Sequence, residues 1–191
     1  MNNNHATAVI WRRLRYMLSP QLDIYAHLAG RLAGKRVLEV GFGTGVGTLQ
    51  YAGVANGVVA IDPDEEAVAF AKSTFPVRGV TWECADILNY RPNGRCQAVV
   101  VVEVLEHIPE WERALLKIYD LLLPGDHLYL SHKNANADLR KNDLHEREWT
   151  AAQLSESVSR VFGDVWLYDY TLTHVQGPDT RMTPLVAVAR R

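Results

Sequence analysis

Cysteine is scarce in this chain: Cys84 and Cys96 are the only two. Their spacing is not of a metal-binding type, which argues against a zinc site or a disulfide framework and predicts a reduced, cytoplasmic setting. Long apolar runs are missing as well. No stretch approaches the roughly 20 apolar residues of a membrane span, and Met1–His5 lacks the charged-then-apolar pattern of a signal peptide. Charge of one sign is also lacking. The formal net charge is −2, so no global field draws the protein onto nucleic acid. Arg12, Arg13 and Arg15 form a local basic cluster that reads as a solvated helix face. Repeats, low-complexity segments and long linkers are absent. With 191 residues, 48% hydrophobic and 22% charged, the chain predicts one globular domain over 1–191, too short for separate cofactor and substrate domains.

Strand and helix signals alternate from residue 36 onward. Arg36–Val40 reads as a short buried strand, 46–52 as a helix, and Gly57–Asp62 as a second strand. Pro63 followed by Asp64, Glu65 and Glu66 is a helix start, because proline suits the first turn and carboxylates favour it. That helix runs to Phe75 and stops at Pro76. Val80–Cys84 and Gln97–Val102 read as the third and fourth strands, the latter apolar on both faces as a central parallel strand should be. Trp111, Ala114, Leu115, Ile118 and Leu122 recur at helical spacing. Pro124 and Gly125 break that helix before a fifth strand at His127–Ser131. A helix over Thr150–Phe162 and strands near Val165–Tyr170 and Leu185–Ala189 complete the chain. This alternation predicts an α/β, doubly wound, seven-stranded Rossmann-like sheet. The last two strands lack a crossover helix and should pair as an antiparallel hairpin. Residues 1–34 predict a helical lid, divided by Pro20.

The segment Val37-Leu38-Glu39-Val40-Gly41-Phe42-Gly43-Thr44-Gly45 is the densest in chemical meaning. An apolar strand runs into an acidic residue and three alternating glycines. Glycine permits a tight turn and close backbone approach to a ligand, and nucleotide-like ligands sit at such strand-to-helix loops. A dinucleotide fingerprint beginning at Gly41 would need glycine at 46, where Val46 stands. Asp62 ends the second strand about twenty residues on, where a carboxylate accepts hydrogen bonds from ribose hydroxyls or, alternatively, caps the next helix. It would repel a phosphate, which disfavours NADP.

The E-x-G-x-G-x-G arrangement resembles the first motif of the class I S-adenosylmethionine (SAM) dependent methyltransferases. The resemblance covers roughly residues 36–132 in ordered motifs and extends more loosely to 191. It implies that Glu39, Gly41, Gly43 and Gly45 hold the methionine part and ribose of SAM, with Asp62 and Pro63 at the ribose. It also implies that Asp86 meets the adenine amino group and Ile87 its ring, with Glu103 beside the cofactor. S-adenosylhomocysteine would be the product.

Glu103-Val104-Leu105-Glu106-His107 resembles the family's fourth motif, beside the transferring methyl. On one helical turn Glu103, Glu106 and His107 would share a face, and His107, His145 and Glu106 are the candidate catalytic groups. The alternative is that Glu103 touches cofactor, Glu106 is solvated and His107 merely packs. The ubiquinone-pathway O-methyltransferases carry a similar run and act on small phenols. The small-RNA 3′-terminal 2′-O-methyltransferases use such a run plus a histidine to bind a divalent metal. That weaker resemblance implies Glu103, Glu106, His107 and His145 as a metal set, suited to Mn²⁺, Fe²⁺ or Co²⁺. Trp11, Tyr16 and Tyr25 either line an aromatic acceptor pocket or anchor the lid, and His132, Asn134 and Asn136 face the same mouth. The reading is therefore a SAM-dependent methyltransferase, O-directed, with a small polar or aromatic acceptor and no membrane partner. The alternatives are a metal-assisted RNA 2′-O-methyltransferase and a non-catalytic SAM-binding subunit; oligomeric state is not legible.

Overall fold

The computed structural model describes residues 20–137, 147–175, 177 and 180–191. A leading helix α1 (Pro20–Leu32) precedes β1 (Val37–Val40), α2 (Val46–Ala52), β2 (Val58–Asp62), α3 (Glu65–Thr74) and β3 (Val80–Cys84). Then come β4 (Cys96–Val102), a 3₁₀ turn at Leu105–His107, α4 (Trp111–Leu121), β5 (Leu122–His132), α5 (Ala151–Phe162), β6 (Val165–Tyr168) and β7 (Leu185–Arg190). The strands form one seven-stranded sheet in the order β3-β2-β1-β4-β5-β7-β6. The first five are parallel, and β7 runs antiparallel between β5 and β6. The expected terminal hairpin is thus present, with β7 inserted against the parallel sheet and β6 at the edge.

Period-two alternation along β4 feeds two cores. Val99 and Val101 pack with Leu115 and Ile118 of α4 and Leu154 and Val158 of α5. Ala98, Val100 and Val102 face the opposite layer, with α1, α2 and α3. Both sides of the strand are buried, which is why it reads as an unbroken apolar run. The strands are short but their register is unambiguous: Val40 pairs with Ile61 on one side and Val101 on the other.

The first described helix is not a detached cover. Ile24, Tyr25, Leu28 and Leu32 are all fully buried, and the Tyr25 ring stacks on Tyr51 of α2 at 6.2 Å. Gly47 makes room for this contact, since a Cβ there would lie 2.4 Å from the Tyr25 ring. Tyr25 is therefore an anchor and does not line an acceptor pocket. Trp11 and Tyr16, together with the rest of the expected lid before Pro20, lie outside the described residues.

Helix starts follow local chemistry. Asp64 caps α3, its carboxylate accepting from the amides of Glu66 at 2.9 Å and Ala67 at 3.3 Å. Such a cap contributes about 1 kcal/mol. Thr150 and Gln153 form a reciprocal capping box at α5. β5 begins earlier than the proline–glycine break suggests, at Leu122, because Leu122 already pairs with Cys96 before the register shifts. Between β3 and β4 the chain makes only turns, so Thr81 stays exposed and Glu83 half-buried on that face of the sheet.

Candidate functional site

The carboxyl ends of β1, β2, β3 and β4 converge on one cleft, the place where open α/β sheets bind ligands. The loop after β1 takes left-handed backbone at Gly41 (φ 73°), Gly43 (φ 56°) and Gly45 (φ 78°). At Gly41 the reason is contact, because a Cβ would meet the Val104 side chain at 2.4 Å. At Gly43 nothing lies within 4 Å of the missing Cβ. The space over Gly43 is therefore open.

Asp62 does not cap α3; Asp64 does that. The Asp62 carboxylate, 8% exposed, accepts the Gly43 amide on Oδ2 at 2.8 Å and the Asp64 amide on Oδ1 at 3.0 Å. Each oxygen retains a second lone pair for a ligand hydroxyl. Glu39, by contrast, turns inward. It is fully buried, and Oε2 accepts from Thr48 Oγ1 at 2.7 Å and Tyr51 Oη at 2.6 Å. Burial pushes its pKa up, opposed by the hydrogen bonds from Tyr51, Thr48 and Tyr25. Its carboxylate thus ties α2 to β1 beneath the glycine loop.

The cleft itself has a volume of about 230 Å³, with Gly41, Pro63, Asp86, Ile87, Val104 and His107 among its walls. Ile87 presents an apolar wall and is 2% exposed. Asp86 lies exposed at the rim, its Oδ1 accepting the Leu88 amide at 2.9 Å. The residues present fit an adenosine: an apolar slot walled by Ile87, Leu88 and Val104 for the base, with Asp86, Gly41 and Pro63 also among its walls.

The run from Glu103 to His107 departs from the expected single helical turn. Glu103 takes φ 55°, unusual for a residue with a Cβ, and a 3₁₀ turn follows at Leu105–His107. Three residues per turn in place of 3.6 separate the side chains. Glu106 points inward and is 1% exposed, whereas His107 is exposed and lines the cleft. The alternative of a solvated Glu106 and a packed His107 is thereby reversed. Glu103 is half-buried and accepts from Ser131 Oγ at 2.8 Å. Burial, together with the nearby Glu106 carboxylate, pushes its pKa up to about 7. Among the described residues no three His, Cys, Asp or Glu side chains are grouped to hold a metal ion. Glu103, Glu106 and His107 as placed do not make such a site, and His145 lies outside the described residues.

His132 and Asn134 do not offer polar atoms to the mouth; both are fully buried. His132 Nε2 accepts the Trp149 amide at 2.9 Å. Asn134 Nδ2 donates to the carbonyls of Thr180 at 2.8 Å and Met182 at 3.0 Å. Ser131 is the residue that sequence reasoning passed over; its position one step before His132 at the end of a buried strand was the available signal. Asn136 is half-buried, its amide donating to Asn134 Oδ1 at 3.1 Å.

A second cavity of about 270 Å³ opens at the opposite, amino-terminal end of the strands, by Arg36, Gly57, Thr81 and Arg95. It is slightly larger than the cleft. The cleft at the carboxyl ends carries Gly41 of the glycine loop and the Asp86 carboxylate.

Comparison with known proteins agrees with this geometry. Residues 38–130 match the model of a methyltransferase domain family. The chain is 32% identical over 138 residues to a probable S-adenosylmethionine-dependent methyltransferase of Mycolicibacterium smegmatis, covering 70% of this chain and 53% of that protein. It is 33% identical over 119 residues to a ubiquinone biosynthesis O-methyltransferase of Burkholderia ambifaria, covering 60% of this chain and 50% of that protein. The chain thus spans about half the length of these curated relatives. Its fold matches the Burkholderia thailandensis 1,6-didemethyltoxoflavin-N1-methyltransferase solved with 1,6-didemethyltoxoflavin and S-adenosylhomocysteine. The TM-score is 0.71 at 20% identity, over all of this chain and 91% of that one. No described helix is long and apolar enough to cross a membrane. Sheet order, glycine loop and sequence relatives together support the class I SAM-dependent methyltransferase family for this chain.

Proposed function

We propose that this chain binds SAM in the cleft at the carboxyl ends of β1–β4 and directs its methyl group to an oxygen of a small polar or aromatic acceptor. The observation that carries the reading is the cleft walled by Gly41, Pro63, Asp86, Ile87 and His107, with the Asp62 carboxylate bonded to the Gly43 amide of the same glycine loop. The relative named as a ubiquinone biosynthesis O-methyltransferase supports an oxygen acceptor and a small molecule. SAM, when bound, supplies an electrophilic methyl on a sulfonium; all else falls to this chain's residues. The glycine loop and Asp62 bind the sugar end, Asp86 and Ile87 bind the base, and His107 on the cleft wall takes the proton from the acceptor hydroxyl.

The test is transfer of labelled methyl from SAM into a small-metabolite extract and into total RNA, each with and without a chelator. Label in metabolites that survives chelation and is lost in H107A supports the reading. Label confined to RNA and abolished by chelator would replace it with the metal-assisted RNA 2′-O reaction. SAM binding with no transfer to either pool would leave a SAM-binding subunit.

A further inference from the structure

One fully buried histidine has no role in that reading. His132 ends β5, and its Nε2 accepts the Trp149 amide at 2.9 Å. A ring nitrogen that accepts carries no hydrogen, so the neutral imidazole has its proton on Nδ1. Nδ1 faces Glu106 Oε2 across 3.6 Å, with both side chains fully out of contact with solvent. Among the described residues neither atom has another hydrogen-bond partner, and Glu106 Oε1 has none either. A buried polar group left unmade costs roughly 1–3 kcal/mol. Here a donor and an acceptor in that condition face each other a few tenths of an ångström beyond bonding length. Catalytic hydrogen bonds are often long without ligand and tighten in the complex.

The ring is also fixed from outside. Trp149 packs edge-on against His132 at 4.9 Å and against Trp111 at 5.3 Å. The Ala135 amide donates to the Trp149 carbonyl at 2.9 Å, a second pin on the same segment. His132 therefore touches two pieces of chain: the 105–107 turn, whose His107 lines the cleft, and the 147–149 segment.

We propose that His132 is a positioning residue for methyl transfer: Nδ1–H orients the Glu106 carboxylate, and with it the turn bearing His107, while Nε2 fastens residues 147–149. The kinetic part rests on the proposed function; the tautomer and the Glu106 contact do not.

Two substitutions separate the two nitrogens. An asparagine amide reaches the place of Nδ1, and a glutamine amide reaches that of Nε2. H132Q keeps an acceptor for the Trp149 amide and should hold the melting temperature near wild type. Its methyl transfer into the metabolite extract, followed against SAM concentration, should lose about tenfold or more in kcat with KM for SAM unchanged, as supporting partners of a reactive group do. H132N should recover most of the rate that H132Q loses while melting lower. Nitrogen-15 NMR of histidine-labelled wild type should show His132 protonated on Nδ1 and bare on Nε2, with the Nδ1 signal shifted in E106Q. A proton on Nε2, or an Nδ1 signal indifferent to E106Q, overturns the proposal; so does an H132Q enzyme at full rate, or rates that merely follow melting temperature in both variants. If wild type transfers no label at all, the proposed function fails, and the NMR measurement still decides the His132–Glu106 contact.

Discussion

Asp62 and Gly43, on successive strand ends, are joined directly: Oδ2 of the carboxylate accepts the glycine amide at 2.8 Å. The bond crosses from the end of β2 to the tip of the loop after β1, so the ribose-side carboxylate and the glycine loop form one unit. D62N keeps the size and an acceptor oxygen but loses the charge. Charge-assisted hydrogen bonds contribute roughly 1.5–3 kcal/mol, so SAM affinity should fall by about one to two orders of magnitude in D62N. Calorimetric titration checks this, and an unchanged affinity would remove Asp62 from the site.

Gly41 and Gly43 should respond differently to alanine. Both pay for a left-handed backbone, about 1–2 kcal/mol for a residue with a Cβ. Only Gly41 adds a clash, with Val104 at 2.4 Å. G41A should therefore unfold at clearly lower denaturant than G43A. G43A should retain most stability and lose SAM binding, because its methyl enters the space reserved for the ligand. Urea midpoints and titrations on the same preparations test both halves.

Glu39 makes folding pH-dependent in a defined sense. Its folded pKa is raised by burial above the ordinary 4.5, so the native chain holds the proton where the unfolded chain has lost it. Stability should fall as pH rises from about 4.5 through the folded value, with the cost fully present above it. E39Q carries no such charge, so the difference in melting temperature between wild type and E39Q should grow in the glutamine variant's favour from pH 5 to pH 8. A constant difference would show that Glu39 stays ionised at no cost.

The two thiols should separate in a labelling experiment. Cys84 is exposed. Cys96 is buried, and burial pushes its thiol up to about 12, so almost no thiolate forms at neutral pH. Native protein should take up one equivalent of an alkylating reagent at pH 8 and a second only in denaturant, read by intact mass. Rapid labelling of both would contradict the packing of β4 on α4.

Local chemistry was legible in the sequence wherever one short segment determines it. The glycine loop, the both-face apolar strand at 97–102 and the helix start after Pro63 all appear where expected, because their signals are propensity and period. The fourth-motif run departs from the expected helical turn for a physical reason. A left-handed Glu103 followed by a 3₁₀ turn replaces the α-helical turn, and no residue-type preference announces it. Asp62 was ambiguous between cap and ligand because both roles want a carboxylate; Asp64 two residues on resolves it. The sequence pattern places His132 at the mouth, yet it is fully buried, with Nε2 on the Trp149 amide and Nδ1 3.6 Å from Glu106. That placement depends on three segments meeting in space, which spacing along the chain does not encode.

The account stands most directly on where the cofactor binds. Calorimetric titration of S-adenosylhomocysteine into wild type, A85W and T81W separates the two cavities. Ala85 is a half-buried wall of the cleft, and Thr81 is an exposed wall of the cavity at the opposite strand ends. The account predicts one saturable site in wild type, lost in A85W and unchanged in T81W. Binding kept in A85W and lost in T81W, or absent from wild type, would contradict it.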